Sequence, residues 1–178
     1  WEDQLRGASR TWEHPEDANA CNHRGILFAR EGQYEAALAQ FSRAIQRHPT
    51  FVGAYLNRAL VYIAIGNLGQ AVSDFTRVAE IRPRCADALR HCGRLRLEMG
   101  HYDEAIVDLE KTVEIDATDA EACFLLALAC YAQGQYARAW QMLDELQAMG
   151  RAVPAGFVMA LHQASGQDVP FRRADRFR

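Results

Sequence analysis

The stretch EGQYEAALAQFSRAIQRHP, residues 31–49, returns three times along the chain: IGNLGQAVSDFTRVAEIRP at 65–83, MGHYDEAIVDLEKTVEIDA at 99–117 and QGQYARAWQMLDELQAMGR at 133–151. The step is 34 residues each time. Gly32, Gly66, Gly100 and Gly134 head the matching columns, followed by Tyr34, Leu68, Tyr102 and Tyr136. Ala37, Ala71, Ala105 and Ala139 come next, then Phe41, Phe75, Leu109 and Leu143. Pro49 and Pro83 keep the same step, with Ala117 and Arg151 at the next two equivalent places. A period of this length marks an array of stacked supersecondary units.

Each column has a physical reason. The glycine ends a first helix in the left-handed conformation that costs little only without a side chain. The alanine stands where two helices cross closely. Phe or Leu four residues later lies one turn along the same face and fills the space between neighbouring units. Proline stops the second helix and starts the next unit. Each unit therefore reads as about 13 residues of helix, a tight turn, about 14 residues of helix and a short link, an antiparallel helical hairpin.

The composition fits an array of this kind. Of 178 residues, 49% are hydrophobic and 24% charged, which excludes disordered, collagen-like and low-complexity classes. The formal charge of -3 supplies no global field for nucleic acid or anionic lipid. The longest apolar run, Cys123 to Ala132, is too short to span a bilayer, and the polar opening WEDQLRGASR has no signal-peptide core. The first residue is Trp1 rather than Met, which reads as a processed chain or a fragment. Cys21, Cys85, Cys92, Cys123 and Cys130 are odd in number and form no CxxC pair, so they are expected as small buried hydrophobes in a reducing, cytoplasmic-type compartment.

The columns resemble the tetratricopeptide repeat: small residues at position 8, Gly at 15, Tyr at 17, Ala at 20, an aromatic at 24 and Pro at 32. In that frame the repeats run 18–51, 52–85, 86–119 and 120–153. Position 8 reads Gly25, Ala59, Gly93 and Ala127, and position 11 reads Phe28, Tyr62, Arg96 and Cys130. With Arg96, Thr112 and Ala117 at usual core or proline places, the third repeat departs most and is the expected place for bending. The resemblance implies an all-α fold, a right-handed superhelical solenoid of four helical hairpins plus a C-terminal capping helix. That helix is expected over 154–166, with Phe157 and Leu161 at positions 4 and 8 of a fifth unit. Residues 1–17 form an N-terminal flank that reads as a remnant of an upstream repeat, and 167–178 a basic tail.

No catalytic constellation accompanies this pattern. GxSxG, HExxH, GxxxxGK[ST] and a strand-linked GxGxxG are all missing, and no two of the six histidines form a helical i,i+4 ligand pair. A non-enzymatic protein without cofactor or metal is expected.

The resemblance further implies a concave face lined by the first helices at positions 2, 5, 6, 9, 12 and 13. The first repeat brings Asn22, His23, Ile26 and Arg30 there, with Asn19 and Ala29, and the second Leu56, Asn57, Leu60 and Ile63, with Gly53 and Ala64. The third brings Arg90, His91 and Arg94, with Asp87, Leu97 and Glu98; the fourth Phe124, Leu125, Leu128 and Tyr131, with Glu121 and Ala132. Two apolar strips, Leu56/Leu60/Ile63 and Phe124/Leu125/Leu128/Tyr131, then flank Arg90 and Arg94. Such a groove suits a protein or peptide with hydrophobic anchors and an acidic residue. Alternatively, the chain's own C-terminal segment or a further repeat covers Phe124 and Leu128.

Family members that clamp chaperone C-terminal tails carry Lys, Asn, Asn, Lys and Arg where this chain has Asn22, Ile26, Asn57, Asp87 and His91. Only Asn57 matches, so chaperone tails held that way are not expected. The function expected is a scaffold or adaptor that binds a partner in the concave groove. The alternative is a structural segment of a longer solenoid within a larger ciliary or cytoskeletal assembly. An arginine-rich tail that binds acidic partners is a third, weaker idea.

Overall fold

A computed structural model describes residues 17–166. Among them are nine helices and no strand: α1 (Ala18–Arg30), α2 (Tyr34–Arg47), α3 (Val52–Ala64), α4 (Leu68–Ile81), α5 (Ala86–Glu98), α6 (Tyr102–Ile115), α7 (Ala120–Ala132), α8 (Tyr136–Ala148) and α9 (Ala155–Ser165). The chain forms two compact units, the first ending at His91 and the second beginning at Cys92, inside α5. The remnant repeat expected before Asp17 and the basic tail expected after Gly166 lie outside the described residues.

The turns inside the hairpins form because of the glycine column. Gly32, Gly66, Gly100 and Gly134 have φ between +73° and +80°. The residue after each glycine donates its N–H back to the position-11 carbonyl: Gln33 to Phe28, Asn67 to Tyr62, His101 to Arg96 and Gln135 to Cys130, at 2.8–2.9 Å. Those are the bonds of a Schellman cap, which satisfies helix-end carbonyls that would otherwise lack a partner. A β-carbon would force φ back out of this region and open the turn.

Links between hairpins use a different device. His48, Arg82 and Asp116 end α2, α4 and α6 with φ between -131° and -136° and ψ between 84° and 92°. Asp116 adopts this geometry without the following proline that His48 and Arg82 have. Its carboxylate instead accepts from the Thr118 backbone N–H at 2.9 Å and the Thr118 hydroxyl at 2.7 Å. An Asx turn thus does in the third repeat what proline does in the first two.

Close crossing explains position 8. A β-carbon at Gly25 would stand 2.5 Å from Cε1 of the Phe41 ring, and one at Gly93 2.5 Å from Cγ of Leu109. Phe41 is 1% exposed and Leu109 fully buried, so neither has room to withdraw. The core of the first unit contains Phe41, Phe75 and Val78, with Ala37, Ala54, Ala59 and Ala71 at the tight crossings. In the second, Leu109, Cys123, Cys130, Leu143 and Leu161 are fully buried. All five cysteines are free; four are buried and Cys85 half-buried. Burial pushes the Cys123 and Cys130 thiols up, so both persist as neutral, slow-reacting groups.

The last link departs from the pattern, and so does the helix after it. Met149 is in the right-handed helical region, Gly150 has φ +70°, and Arg151 donates its N–H to Leu146 at 3.0 Å. Position 3 holds buried Ala54, Ala88 and Ala122, and position 10 buried Val61, Leu95 and Ala129. Gly156 and Gln163 occupy the same places on α9, yet both are exposed. The helix instead buries Val158 and Leu161 and leaves Met159 72% exposed. The repeat frame that assigns Phe157 and Leu161 to positions 4 and 8 therefore does not describe how α9 turns its faces. A glycine-type link in place of the extended one is the local cause.

Candidate functional site

In the first unit, α1 and α3 are joined by a side-chain bond across the repeat: Asn57 Nδ2 donates to Asn22 Oδ1 at 3.0 Å. Beside this pair opens a cleft of about 330 Å³. Its lining includes Ile26, Ala29 and Arg30 from α1, Asn57, Leu60 and Val61 from α3, and Tyr34 from α2. Leu60 is 52% exposed, a large apolar side chain standing in water at the rim. Among the described residues Arg30 enters no ion pair, and it stands in the last turn of α1, where the helix dipole favours a cation. An apolar cleft with an amide pair at one end and a guanidinium at the other can take a hydrophobic side chain and a carboxylate together.

The other expected groove residues are arranged differently. His23 is exposed, while Leu56 and Ile63 are half-buried and stand outside the lining of this cleft. His91 stacks on the Phe75 ring, with centroids 4.7 Å apart and planes 13° apart. Arg90 bonds Asp87 at 2.8 Å. In the second unit, Arg94 pairs with Glu121 at 3.8 Å. Both arginines thus have acidic neighbours one turn or one helix away. Pairs this exposed are worth little, about 0.2–1 kcal/mol, and exchange readily.

The second apolar strip is packed within its own unit. Phe157 of α9 meets Phe124 edge-on at 5.6 Å and Tyr131 at 5.5 Å. Phe124, Leu128 and Tyr131 pack against the core cluster of this unit, and Leu125 is only 9% exposed. Trp140 of α8 holds α9 further, with its ring edge on His162 at 4.5 Å and its indole N–H donating to Ser165 Oγ at 3.4 Å.

Two polar ties escape a reading of the sequence columns. Arg58 grips Asp74 with both ends of its fork, Nε at 2.8 Å and Nη2 at 2.7 Å, and donates from Nη1 to Ser42 at 2.9 Å. It also lies 5.7 Å and 5.9 Å from the Tyr55 and Tyr62 ring centroids. Bonding to Asp74 holds the guanidinium above its ordinary pKa. In the third repeat Arg96 pairs with Asp108, and the Thr112 hydroxyl donates to the Asp108 carbonyl at 2.9 Å. Burial pushes the Asp108 carboxyl up, and Arg96 opposes the rise. The acid keeps its column, 74 to 108, while the arginine moves one turn along the first helix. Arg96 is thus the partner of a buried acid rather than a gap in the core. Tyr34 and Phe41, from the second helix, and Val61, at position 10 of a first helix, are the cleft residues that the first-helix positions miss. For Tyr34 and Phe41 the signal was their repeating columns.

Among the described residues no three His, Cys, Asp or Glu side chains cluster as a metal site would require, and no helix is long and apolar enough to cross a membrane. Comparison with known proteins matches two tetratricopeptide repeat models, one over residues 2–51, 22–85 and 56–117 and the other over 96–155. No curated protein matches the sequence significantly. Among solved structures, the MamA protein superposes with a TM-score of 0.74 at 17% identity, covering 84% of this chain and 82% of its own. YrrB, described as a TPR protein with an unusual peptide-binding site, gives 0.69 at 18% identity over 89% and 79%. The first TPR domain of Spaghetti, solved with an HSP90 peptide, gives 0.60 at 21% over 66% and 93%. At such identities the likeness speaks to fold, and together with the repeat models and the Gly-capped hairpins it places the chain in the tetratricopeptide repeat family.

Proposed function

We propose that this protein is a non-enzymatic interaction scaffold that takes a peptide or partner segment on the face of its first helices. The carrying observation is the cleft between α1 and α3, with Leu60 52% exposed beside it. An aliphatic or aromatic anchor entering there removes Leu60 and Ile26 from water, at about 25 cal/mol per Å² buried. Asn22, His23, Leu56, Asn57 and Ile63 border or flank the anchor in this proposal. Arg90 and His91 extend the binding face of the first unit in this proposal; Arg94, Phe124, Leu128 and Tyr131 belong to the second unit and are proposed as a separate contact surface of that unit. Neighbours of the same fold that bind peptides support this reading. The tail clamp of chaperone-binding members is a different arrangement, since Asp87 would repel a terminal carboxylate.

Selection from a displayed library of random 12-residue peptides tests the proposal. Wild type is expected to enrich apolar-anchored peptides, and Leu60→Asp to lose them, since an exposed site leaves folding intact. Equal enrichment by both proteins would refute groove binding.

One observation favours a second reading, a structural segment within a larger assembly. Leu27 is 44% exposed, although its counterparts Val61, Leu95 and Ala129 are at most 4% exposed. That face of α1 is suited to cover by a further packed element.

A further inference from the structure

Positions 3 and 10 of a first helix are covered by the second helix of the hairpin before it. Val61 of α3 clusters with Ala37 and Phe41 of α2, and Ala54 with Ala44. In the second unit Ala122 and Ala129 of α7 share a cluster with Ile106 and Leu109 of α6. On α1 the same two places hold Ala20 and Leu27, and both are exposed, Leu27 to 44%. Seven residues apart, they mark one face of the helix over about 10 Å.

Residues 1–16 precede the described part and lead into α1 at Asp17, its N-cap. Among them Trp1, Leu5, Ala8 and Trp12 follow one another at intervals of four, three and four. That spacing puts them on one face of a helix, over about 16 Å. Trp1, Leu5 and Ala8 repeat the spacing of Ala37, Phe41 and Ala44, through which α2 covers α3, but two residues ahead of the 34-residue frame. Packed in frame, the segment would turn Asp3, Gly7 and Arg10 inward and leave two indole rings in water. An apolar stripe and an apolar face tethered a few residues apart bury each other at high effective concentration.

We infer that residues 1–12 dock on α1 as an amphipathic helix set out of the repeat frame. Antiparallel order, as for α2 against α3, sets Ala8 on Ala20, and Trp1 and Leu5 on Leu27. The chain leaves its frame in the same way at α9, which buries Val158 and Leu161 while positions 3 and 10 stay exposed. The exposed face of α1 thereby gains an occupant inside the chain rather than in a larger assembly. This assignment is independent of groove binding.

Nuclear Overhauser contacts in the methyl-labelled full chain test it. The Leu27 methyls are expected to contact the Trp1 indole and the Leu5 methyls. Leu5→Asp/Ala8→Asp should abolish those contacts, shift the Leu27 signals and speed amide exchange in α1 by about tenfold. Arg10→Ser, on the opposite side of the same helix, should leave all three as in wild type. Unchanged Leu109 and Leu143 methyl signals verify that each variant is folded. Contacts from Leu27 to Gly7 or Arg10 would overturn the register. No contact with residues 1–12, or wild-type Leu27 signals in Leu5→Asp/Ala8→Asp, would overturn the docking. So would contacts found only between differently labelled chains in a mixed sample, which would give the face to a second copy. The peptide selection on wild type and Leu60→Asp is read separately, so failure of either reading leaves the other standing.

Discussion

Replacing Phe75 with alanine is expected to lower stability by about 3–5 kcal/mol, the cost of truncating a fully buried aromatic side chain. Phe75 is 1% exposed. Its ring also carries the His91 imidazole at 4.7 Å, so the substitution leaves that side chain without its stacking surface. Urea unfolding followed by circular dichroism checks it. A loss under about 1 kcal/mol would mean that the first unit is loosely packed around position 24.

The second large effect comes from a charge. Asp74→Ala strips the carboxylate from Arg58, whose side chain is 19% exposed against 5% for Asp74. Breaking a buried pair from one side costs about 3–5 kcal/mol, because the remaining ion keeps its desolvation penalty without its partner. The partial exposure of Arg58 and its bond to Ser42 put the expected loss near the lower bound, about 3 kcal/mol. Replacing both members by apolar residues of similar size, Arg58→Met with Asp74→Leu, is expected to be neutral within about 1 kcal/mol. The comparison separates the worth of the pair from the penalty of an orphaned charge. A double variant as unstable as Asp74→Ala would show that Arg58 also matters through Tyr55 and Tyr62.

The parts of this fold legible in the sequence are those that backbone chemistry dictates at a fixed period. Glycine is required at φ near +75°, and Gly25 and Gly93 by a ring edge and an isopropyl group 2.5 Å from a would-be β-carbon. Such demands recur every 34 residues and leave a visible column. The third repeat misleads because its departures are compensated by neighbours that no column reveals. Arg96 meets Asp108 across the hairpin, and Asp116 forms its own turn where proline is missing. The fourth link fails to follow the frame because Gly150 caps α8 differently, and α9 turns another face inward.

The candidate site was legible in its membership more than in its grouping. Ile26, Arg30, Asn57 and Leu60 come together around one cleft. Arg90 and Arg94 carry acidic neighbours, and for Arg90 the sequence contained the sign: Asp87 stands three residues earlier on the same helix, where such pairs meet. Phe124 and Tyr131 meet Phe157, a contact that depends on where α9 lies and therefore on the atypical link. Long-range packing of that kind leaves no local pattern.

The most direct measurement of the central claim is methyl-resolved NMR of the wild-type protein titrated with the peptide most enriched in the display selection. Binding in the cleft between α1 and α3 predicts that the Ile26, Leu60 and Val61 methyl signals shift together, with a common saturation curve. The Leu109 and Leu143 methyls, buried in the second unit, are predicted to stay in place. Shifts confined to the second unit, or to the exposed face of α9 around Met159, would contradict the account.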